Sequence, residues 1–240
     1  MHQTQITTIL LLGMFTLPSH LHAQGTGSRV ATTFDKLLTE VEQDKSENFT
    51  EETDAKDGLQ LATFGNGCFW CTEAVFEELK GVGRVASGYS GGKIPNPTYQ
   101  QVGTGRTGHA EVIHLEFDPK IISYAKLLEV FWRTHDPTTK NRQGPDIGPQ
   151  YRSVVFYHNE EQKKLAARFK SELNKAKAFR KPIVTEIAKY QKFYPAENYH
   201  QDYFKLHGRE PYCQRIIRPK MSKFRRVFKD ELARNRKNSS

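Results

Sequence analysis

Residues 65–71 read Gly-Asn-Gly-Cys-Phe-Trp-Cys, and this run constrains the fold and chemistry of the chain more than any other stretch. It follows a short apolar segment at 61–64 and precedes a helix predicted over 72–80, which Gly81 ends. Because glycines allow a sharp strand-to-helix turn, Cys68 is expected at a helix N-terminus, where amide donors favour a thiolate. The glycine turn, the second cysteine and the adjacent aromatics favour a nucleophile in an apolar pocket over an ordinary buried cysteine.

The cysteine count bears on how such a thiol works. The 240 residues include three cysteines, so one thiol remains when two form a disulfide. This odd count fits thiol–disulfide exchange better than a structural disulfide framework. Hydrophobic residues at 37% and charged residues at 26% are typical of a soluble enzyme.

The first 58 residues divide into two predicted segments. Residues 1–23 contain no Lys, Arg, Asp or Glu, and their apolar run at 9–17 is too short to span a bilayer. Although a basic n-region is missing, this pattern predicts a signal peptide cleaved near Ala23 and export to the periplasm or the extracellular space. Residues 24–58 contain nine acids, four bases and few large apolar residues, which predicts an acidic flexible tether with at most a short helix around 34–41.

The other end of the chain is basic. Residues 208–240 form a predicted extension that contains Cys213, and its last 27 residues, 214–240, hold ten bases against two acids. Such a charge is compatible with nucleic acid or an anionic membrane surface. However, Phe224 and Phe228 are four residues apart and share one helix face, which is not a stacking platform for bases. We therefore expect a solvated helix end and no nucleic-acid partner.

Residues 59–207 alternate predicted strands and helices and form the predicted catalytic domain. Strands are predicted at 84–89, 111–117, 151–157 and 183–188, and helices at 123–134, 159–178 and 195–207. Asn159 followed by Gln162 is a capping-box pattern, and the long Gly/Pro-rich loop 135–150 is of a length that is more often functional than idle. Strict βαβ spacing is absent, so the predicted class is α+β, a two-layer sandwich with a mixed sheet and packed helices.

Glu111 is the candidate acid. Alternate residues of the strand 111–117 place its carboxyl on the apolar face, where desolvation raises the pKa and makes a proton donor near neutral pH. If the strand begins one residue later, Glu111 is a solvated loop residue, and the pattern leaves both readings open. Tyr99, Asp146 and Tyr151 lie in or beside long loops, where each is either a substrate contact or a core or capping residue.

Five short motifs follow one another along the chain. They are Gly-Cys-Phe-Trp at 67–70, Asn-Pro-Thr-Tyr at 96–99, Gly-His-Ala-Glu at 108–111, His-Asp-Pro-Thr at 135–138 and Gln-Tyr-Arg-Ser at 150–153. Together they closely resemble the peptide methionine sulfoxide reductase A family over about residues 59–205. Pro-Tyr-Cys at 211–213 and Pro-Lys at 219–220 resemble the C-terminal extension of some members. Five motifs in order are highly specific, and the resemblance implies a ferredoxin-like plait.

The resemblance also implies a reaction. Cys68 would attack the sulfur of methionine-S-sulfoxide, free or in oxidised proteins, while Glu111 protonates the oxygen. Methionine leaves and Cys68 becomes a sulfenic acid, which a second thiol converts to a disulfide. A thioredoxin-like reductant would then reset the enzyme, and no metal or organic cofactor is needed. We expect the protein to act as a monomer.

The family also assigns a substrate pocket. Phe69 and Trp70 would hold the substrate methyl group, Tyr99 and Tyr151 would assist Glu111, and Asp146 would order water or support the site.

Position 71 departs from the family pattern, since many members have Gly where this chain has Cys71. Residues three apart on a helix are neighbours, so Cys68 and Cys71 can bond directly. Cys213 lies where other members keep a distal resolving thiol. The resolving residue therefore stays open, with Cys213 preferred and Cys71 a close rival or a relay.

Two other functions compete with a reductase. The C-x-x-C spacing at a helix start also fits a general dithiol oxidoreductase, although such exchange does not need Glu111 or the tyrosine motifs. A zinc site would use the three cysteines and a histidine, but the chain has only one C-x-x-C pair.

Overall fold

The computed structural model describes residues 21–48 and 58–233, so most of the predicted signal peptide lies outside the described residues. In this part of the chain the α-helices are α1 Leu21–Asn48, α2 Phe69–Phe76, α3 Tyr99–Gly103, α4 Tyr124–Arg133, α5 Glu160–Lys175, α6 Tyr203–His207 and α7 Arg218–Val227. The strands are β1 Gln60–Asn66, β2 Val82–Ser90, β3 Ala110–Phe117, β4 Arg142–Gln143, β5 Asp146–Ile147, β6 Ser153–Tyr157, β7 Glu186–Lys189 and β8 Phe193–Pro195.

Six strands form one sheet in the order β7-β6-β1-β3-β2-β8. The β6–β7 pair is parallel and the other pairs are antiparallel, so the sheet is mixed. Since α2 joins β1 to β2 and α4 lies between β3 and β6, the central strands follow the β-α-β-β-α-β pattern of a ferredoxin-like plait. The predicted α+β class is confirmed.

The sheet buries both of its faces, because side chains alternate along each strand. Phe64 of β1 stacks on Phe76, Tyr124 and Phe131, with ring centroids 5.3–5.9 Å apart, and this face carries the main core beneath the helices. The opposite face carries a smaller cluster of Ala110, Val112, Val154 and Phe156, which is covered by Tyr190 and Phe193. Glu111 lies on the side of β3 that faces the main core. It is near the start of β3, beside the C-terminal end of the neighbouring strand β1.

The region predicted as a tether differs most from expectation. Within the described residues it forms α1, which packs on α4 and α5. Phe34 is fully buried with its ring centroid 5.6 Å from that of Phe169, and Glu40 pairs with Arg168 at 2.8 Å. The buried positions are Val30, Phe34, Leu37 and Val41. These few apolar residues recur at the spacing of one helix face, which indicates an amphipathic helix. The overall acidic composition of the segment does not show this spacing.

The C-terminal extension also packs more closely than predicted. Phe224 and Phe228 share a face as expected, but that face is buried, with the ring centroids 5.4 Å apart. Arg225 Nε donates to Glu78 Oε2 at 2.9 Å, and Lys80 Nζ donates to the Asp230 carbonyl at 2.7 Å. The extension is therefore tied to the end of α2. No helix in the two described ranges is both long and apolar enough to cross a bilayer.

The predicted helix at 195–207 is instead three short elements. Residues 193–195 pair with β2 as β8, a single 3-10 turn covers Asn198–His200, and α6 begins after Asp202. Asp202 has a φ of +53°, which interrupts helical continuity. This segmented path carries the chain behind the strand-to-helix turn that holds Cys68.

Candidate active site

Cys68 is the N-cap residue of α2, at the strand-to-helix turn expected from the glycines. Gly67 has a φ of +105°, and a Cβ there would lie 2.6 Å from Cγ of Gln143, so only glycine fits. Thr72 Oγ1 donates within the same turn to the Cys68 carbonyl, and it also bonds the Asn66 side chain. The turn is therefore held from both sides.

Glu111 lies inside β3, which begins one residue earlier, so it is not a loop residue. Its side chain is buried, and its Oε2 accepts a hydrogen bond from the Phe69 backbone N–H at 3.0 Å. Burial raises the pKa of Glu111 to about 8, the Phe69 amide opposes this rise, and the nearby Asp146 and Cys71 charges add to it. At neutral pH the carboxyl thus holds a proton, as an acid catalyst requires.

The three thiols are reduced and buried. Burial raises the pKa of the Cys68 thiol, and Cys71 and Glu111 raise it further. The hydrogen bond from Cys68 is the largest cause that lowers the pKa of Cys71 to about 7. Burial therefore works against the thiolate expected at Cys68, and the hydrogen bond between the two thiols favours the charged form of Cys71.

The aromatic residues predicted for the pocket lie together around this pair. The ring of Phe69 lies 6.2 Å from Trp70 and 6.4 Å from Tyr99, between centroids. Burial raises the pKa of Tyr99 to about 12, and the Glu111 and Cys68 charges act in the same direction. Burial also raises the pKa of Tyr151, with further contributions from Glu111, Tyr99 and Cys68. Both hydroxyls thus face the site and remain protonated donors.

Tyr212 is a site residue that sequence reasoning missed. Its hydroxyl donates to Asp146 Oδ2 at 2.7 Å, and its ring edge meets Trp70 with centroids 5.8 Å apart. The hydroxyl also contacts the Cys68 and Cys71 thiols. The sequence feature that could have identified Tyr212 was its position beside Cys213 in the Pro-Tyr-Cys motif. Burial raises the pKa of Asp146, and this bond opposes the rise.

Cys213 begins a π-helical turn, Cys213–Ile217, and is buried. Burial raises its pKa, and the nearby Cys71 charge raises it further. Cys71 thus neighbours both other thiols. Within residues 21–48 and 58–233, no cluster of three or more His, Cys, Asp or Glu side chains is arranged to hold a metal ion, so the zinc alternative finds no ligand set there.

An α+β domain with a C-x-x-C pair at a helix start, facing a protonated carboxyl in an aromatic pocket, defines a thiol-dependent oxidoreductase. The family model for peptide methionine sulfoxide reductase matches residues 60–232, which include the C-terminal extension as far as Leu232. The chain belongs to the peptide methionine sulfoxide reductase family, as the five motifs predicted.

Curated relatives agree with this assignment. The chain is 53% identical over 173 residues to peptide methionine sulfoxide reductase MsrA of Sulfolobus acidocaldarius, covering 72% of this chain and 97% of that protein. It is 58% identical over 162 residues to the enzyme of the same name from Methanosarcina acetivorans, covering 68% and 85%. The family model begins at residue 60, so α1 lies outside the matched residues.

Solved structures show the same fold. Mxr1 from Saccharomyces cerevisiae in reduced form superposes with a TM-score of 0.60 at 34% identity, covering 68% of this chain and 92% of that chain. Methionine sulfoxide reductase A of Corynebacterium diphtheriae gives a TM-score of 0.57 at 32% identity, covering 64% and 77%. The predicted oxidoreductase activity is thereby confirmed.

Proposed function

We propose that Cys68 is the nucleophile and Glu111 the acid in the reduction of methionine-S-sulfoxide, free or within oxidised proteins. The observation that carries this assignment is the buried Glu111 carboxyl, which is bonded to the Phe69 amide and raised in pKa beside Cys68. General acid catalysis at neutral pH requires a group in this protonation state. Phe69 and Trp70 supply the apolar wall for the methyl group of the substrate.

The reductase step transfers one oxygen atom from the sulfoxide to Cys68. The Cys68 sulfur bonds to the sulfoxide sulfur as Glu111 gives its proton to the oxygen, and the Cys68 thiol passes its own proton to the Cys71 sulfur, to which it is hydrogen-bonded. Transfer of the oxygen to Cys68 releases the thioether and leaves a sulfenic acid on Cys68, so the sulfoxide is reduced by two electrons while Cys68 is oxidised by two. Tyr99 and Tyr151 donate hydrogen bonds to the oxygen as it gains charge. Asp146 and Tyr212 support the site from the side of the C-terminal extension.

Recycling proceeds through Cys71 and then Cys213. The Cys71 sulfur attacks the sulfenic acid of Cys68 and forms a disulfide, and the proton of the Cys71 thiol leaves with the hydroxyl as water. Cys213 then attacks Cys71, which forms a Cys71–Cys213 disulfide and returns Cys68 as a thiol. Two observations support this order. The Cys71 thiol is hydrogen-bonded to Cys68. The Cys71 charge also raises the pKa of Cys213, so these two thiols are neighbours.

The final disulfide needs an external dithiol, and a thioredoxin-like protein is the reductant of suitable chemistry. Protein substrates would bind at the same pocket through an exposed methionine sulfoxide. General dithiol exchange is the second candidate function, and it is favoured by the C-x-x-C pair alone. We expect the enzyme to act as a monomer without nucleic acid, which light scattering and a gel shift would test.

A paired assay tests the function. Wild-type protein should reduce methionine-S-sulfoxide, and Cys68→Ser should abolish the reaction while its circular dichroism stays native. Insulin reduction by the wild type should be slow in comparison. Rapid insulin reduction together with full sulfoxide activity in Cys68→Ser would refute the assignment and favour the dithiol oxidoreductase.

We further propose export, with cleavage near Ala23. The charge-free, apolar residues 1–23 support this proposal. Cleavage there would leave intact the buried side chains of α1, the first of which among residues 28–43 is Val30. Mass spectrometry of the mature chain should show a start near Gln24, and recovery of an intact Met1 terminus from the cytosol would overturn the proposal.

A further inference from the structure

Trp70 donates its indole N–H to a buried histidine that the reaction does not use. The Trp70 Nε1 atom lies 3.1 Å from Nδ1 of His200, and His200 is 1% exposed. The imidazole also packs against the rings of Phe69 and Tyr99, with centroids 5.1 and 4.4 Å away. His200 thus supports the pocket wall from behind.

The direction of this bond determines the tautomer of His200. An indole N–H can only donate, so Nδ1 must be unprotonated, and the neutral imidazole carries its proton on Nε2. Nε2 is buried and has no hydrogen-bond partner among residues 21–48 and 58–233, while Glu197 Oε2 is 3.9 Å away. Burial lowers the pKa of His200 and Glu197 raises it. Burial therefore favours the neutral form that can accept from Trp70.

Glu197 opens the same 3-10 turn and bonds to the other side of the pocket. Its Oε1 accepts from the backbone N–H of Tyr99 at 2.9 Å, and its Oε2 accepts from the Tyr89 hydroxyl at 3.1 Å. The His200 backbone N–H donates to the Glu197 carbonyl at 2.9 Å, so a backbone hydrogen bond joins the two residues. One turn of the chain is thus bonded to both aromatic residues, Trp70 and Tyr99, that flank the substrate.

The indole of Trp70 has a second restraint on its outer side. The Tyr203 ring stacks on it almost in parallel, with centroids 3.7 Å apart and an interplanar angle of 7°. Stacking fixes the plane of the indole but resists sliding and in-plane rotation weakly. A hydrogen bond from the indole N–H is directional, so it restrains the sliding and in-plane rotation that stacking permits. The bond to His200 therefore sets where the edge of the indole meets the substrate.

We propose that His200, held by Glu197, is a positioning residue that orients the Trp70 indole for the methyl group of the sulfoxide. The inference rests on the proposed role of Trp70 in the substrate pocket. His200 touches no reacting atom, and it acts by preforming the apolar wall, so its loss should weaken substrate binding rather than the chemical step.

The first test reads the hydrogen bond in the wild-type protein without substrate. The chain has two tryptophans, so a ¹⁵N-labelled sample gives two indole signals, and Trp132, which donates to Thr185 Oγ1 at 3.1 Å, is the internal reference. His200 should show an unprotonated Nδ1, a protonated Nε2 and a scalar coupling from Nδ1 to the Trp70 indole nitrogen. A protonated Nδ1 would overturn the proposal, whatever the activity of the enzyme.

The second test compares two substitutions that both remove the imidazole ring. In His200→Asn the side-chain oxygen takes the place of Nδ1 and can accept from Trp70, whereas in His200→Gln the amide lies at the place of Nε2. KM for methionine sulfoxide should rise about tenfold in His200→Gln, the loss expected for one hydrogen bond, with kcat within about twofold of wild type. His200→Asn should recover most of this KM and keep the Trp70 indole signal.

Tyr199→Ala is the matched control, because Tyr199 is half exposed and its ring packs on His200 from outside, 4.2 Å between centroids. It should leave both the indole signal and KM near wild type. In the double variant Trp70→Phe/His200→Gln, the histidine change should add nothing to the effect of Trp70→Phe. Equal KM values for the Asn and Gln variants, or additive effects in the double variant, would contradict the proposal.

Discussion

The Phe69 backbone N–H donates to Glu111 Oε2 at 3.0 Å, across from the thiol of Cys68. This amide belongs to the first residue of α2, so one free N–H group of the helix N-terminus serves the carboxyl. Burial and the neighbouring Cys71 and Glu111 raise the pKa of Cys68 although the residue caps a helix. The same bond fixes the carboxyl in place for proton transfer.

The pH dependence of the reductase step should follow Glu111. Its raised pKa of about 8 keeps the carboxyl protonated below that pH, and the acid form is lost as pH rises through it. Single-turnover rates measured without reductant should therefore fall above about pH 8. Glu111→Gln should remove this limb, and a wild-type rate that stays level to pH 10 would contradict the role.

Glu111→Gln should slow the single-turnover rate by roughly two to four orders of magnitude, which is the usual contribution of a positioned acid. The amide of glutamine can still accept from Phe69 but supplies a much weaker acid. Glu116→Gln is the control, because Glu116 lies on β3 with its side chain on the other face of the strand. Equal losses in the two variants would indicate a general effect on the strand and refute the assignment.

The order of the thiols can be read from disulfide maps. After one turnover without reductant, the relay predicts a Cys71–Cys213 disulfide in the wild type. Cys213→Ser should stop at Cys68–Cys71, whereas Cys71→Ser should accumulate the sulfenic acid on Cys68, which a dimedone probe detects. Both variants should still reduce one equivalent of substrate. A direct Cys68–Cys213 disulfide formed at the wild-type rate in Cys71→Ser would remove Cys71 from the path.

The site was predictable where its chemistry depends on neighbours in sequence. Cys68 lies at the turn that the glycines require, and the apolar face was one of the two positions that the strand pattern left open for Glu111. Tyr212 was not identified, because its partner Asp146 is 66 residues away and only the packed C-terminal extension brings the two together. The direction of the Cys68 pKa shift was likewise not predictable from the sequence, because it depends on the burial of the thiol in the packed domain beside Cys71 and Glu111.

The fold class was predictable and the ends of the chain were not. Alternating strands and helices define an α+β sheet, and the capping residue Asn159 starts α5 as expected, accepting from Gln162 N at 2.9 Å. The predicted tether was assigned from its average charge, but burial depends on four apolar residues in register on α1. The helix predicted from 195 onward is interrupted by strand pairing with β2 and by the left-handed backbone of Asp202. The helix propensity of the local sequence predicts neither feature.

Tyr212→Phe should loosen the segment that buries Cys213. The variant loses the hydroxyl that donates to the Asp146 carboxylate at 2.7 Å, a charge-assisted bond that typically contributes about 1.5–3 kcal/mol. Opening of the adjacent π-helical turn should become about tenfold or more frequent, and the rate at which a thiol reagent labels Cys213 should rise accordingly. Tyr157→Phe, at the far end of β6 from the site, should leave this rate unchanged. An unchanged rate in Tyr212→Phe would show that the bond does not hold the segment.

The last prediction concerns α1, which lies outside the residues that the family model matches. Phe34 is fully buried against Phe169, so Phe34→Ala should lower the free energy of unfolding by about 3 kcal/mol. Thermal denaturation should show a drop in Tm of about 6–12 °C for a chain of this size. Glu42→Ala, at an exposed position of the same helix, should change Tm by less than about 2 °C. Since α1 packs on α4 and α5 and contributes none of the site residues, kcat and KM of Phe34→Ala at 25 °C should match the wild type. A matching Tm in the two variants would show that α1 does not stabilise the domain, and a loss of activity in folded Phe34→Ala would show that the helix acts on the site.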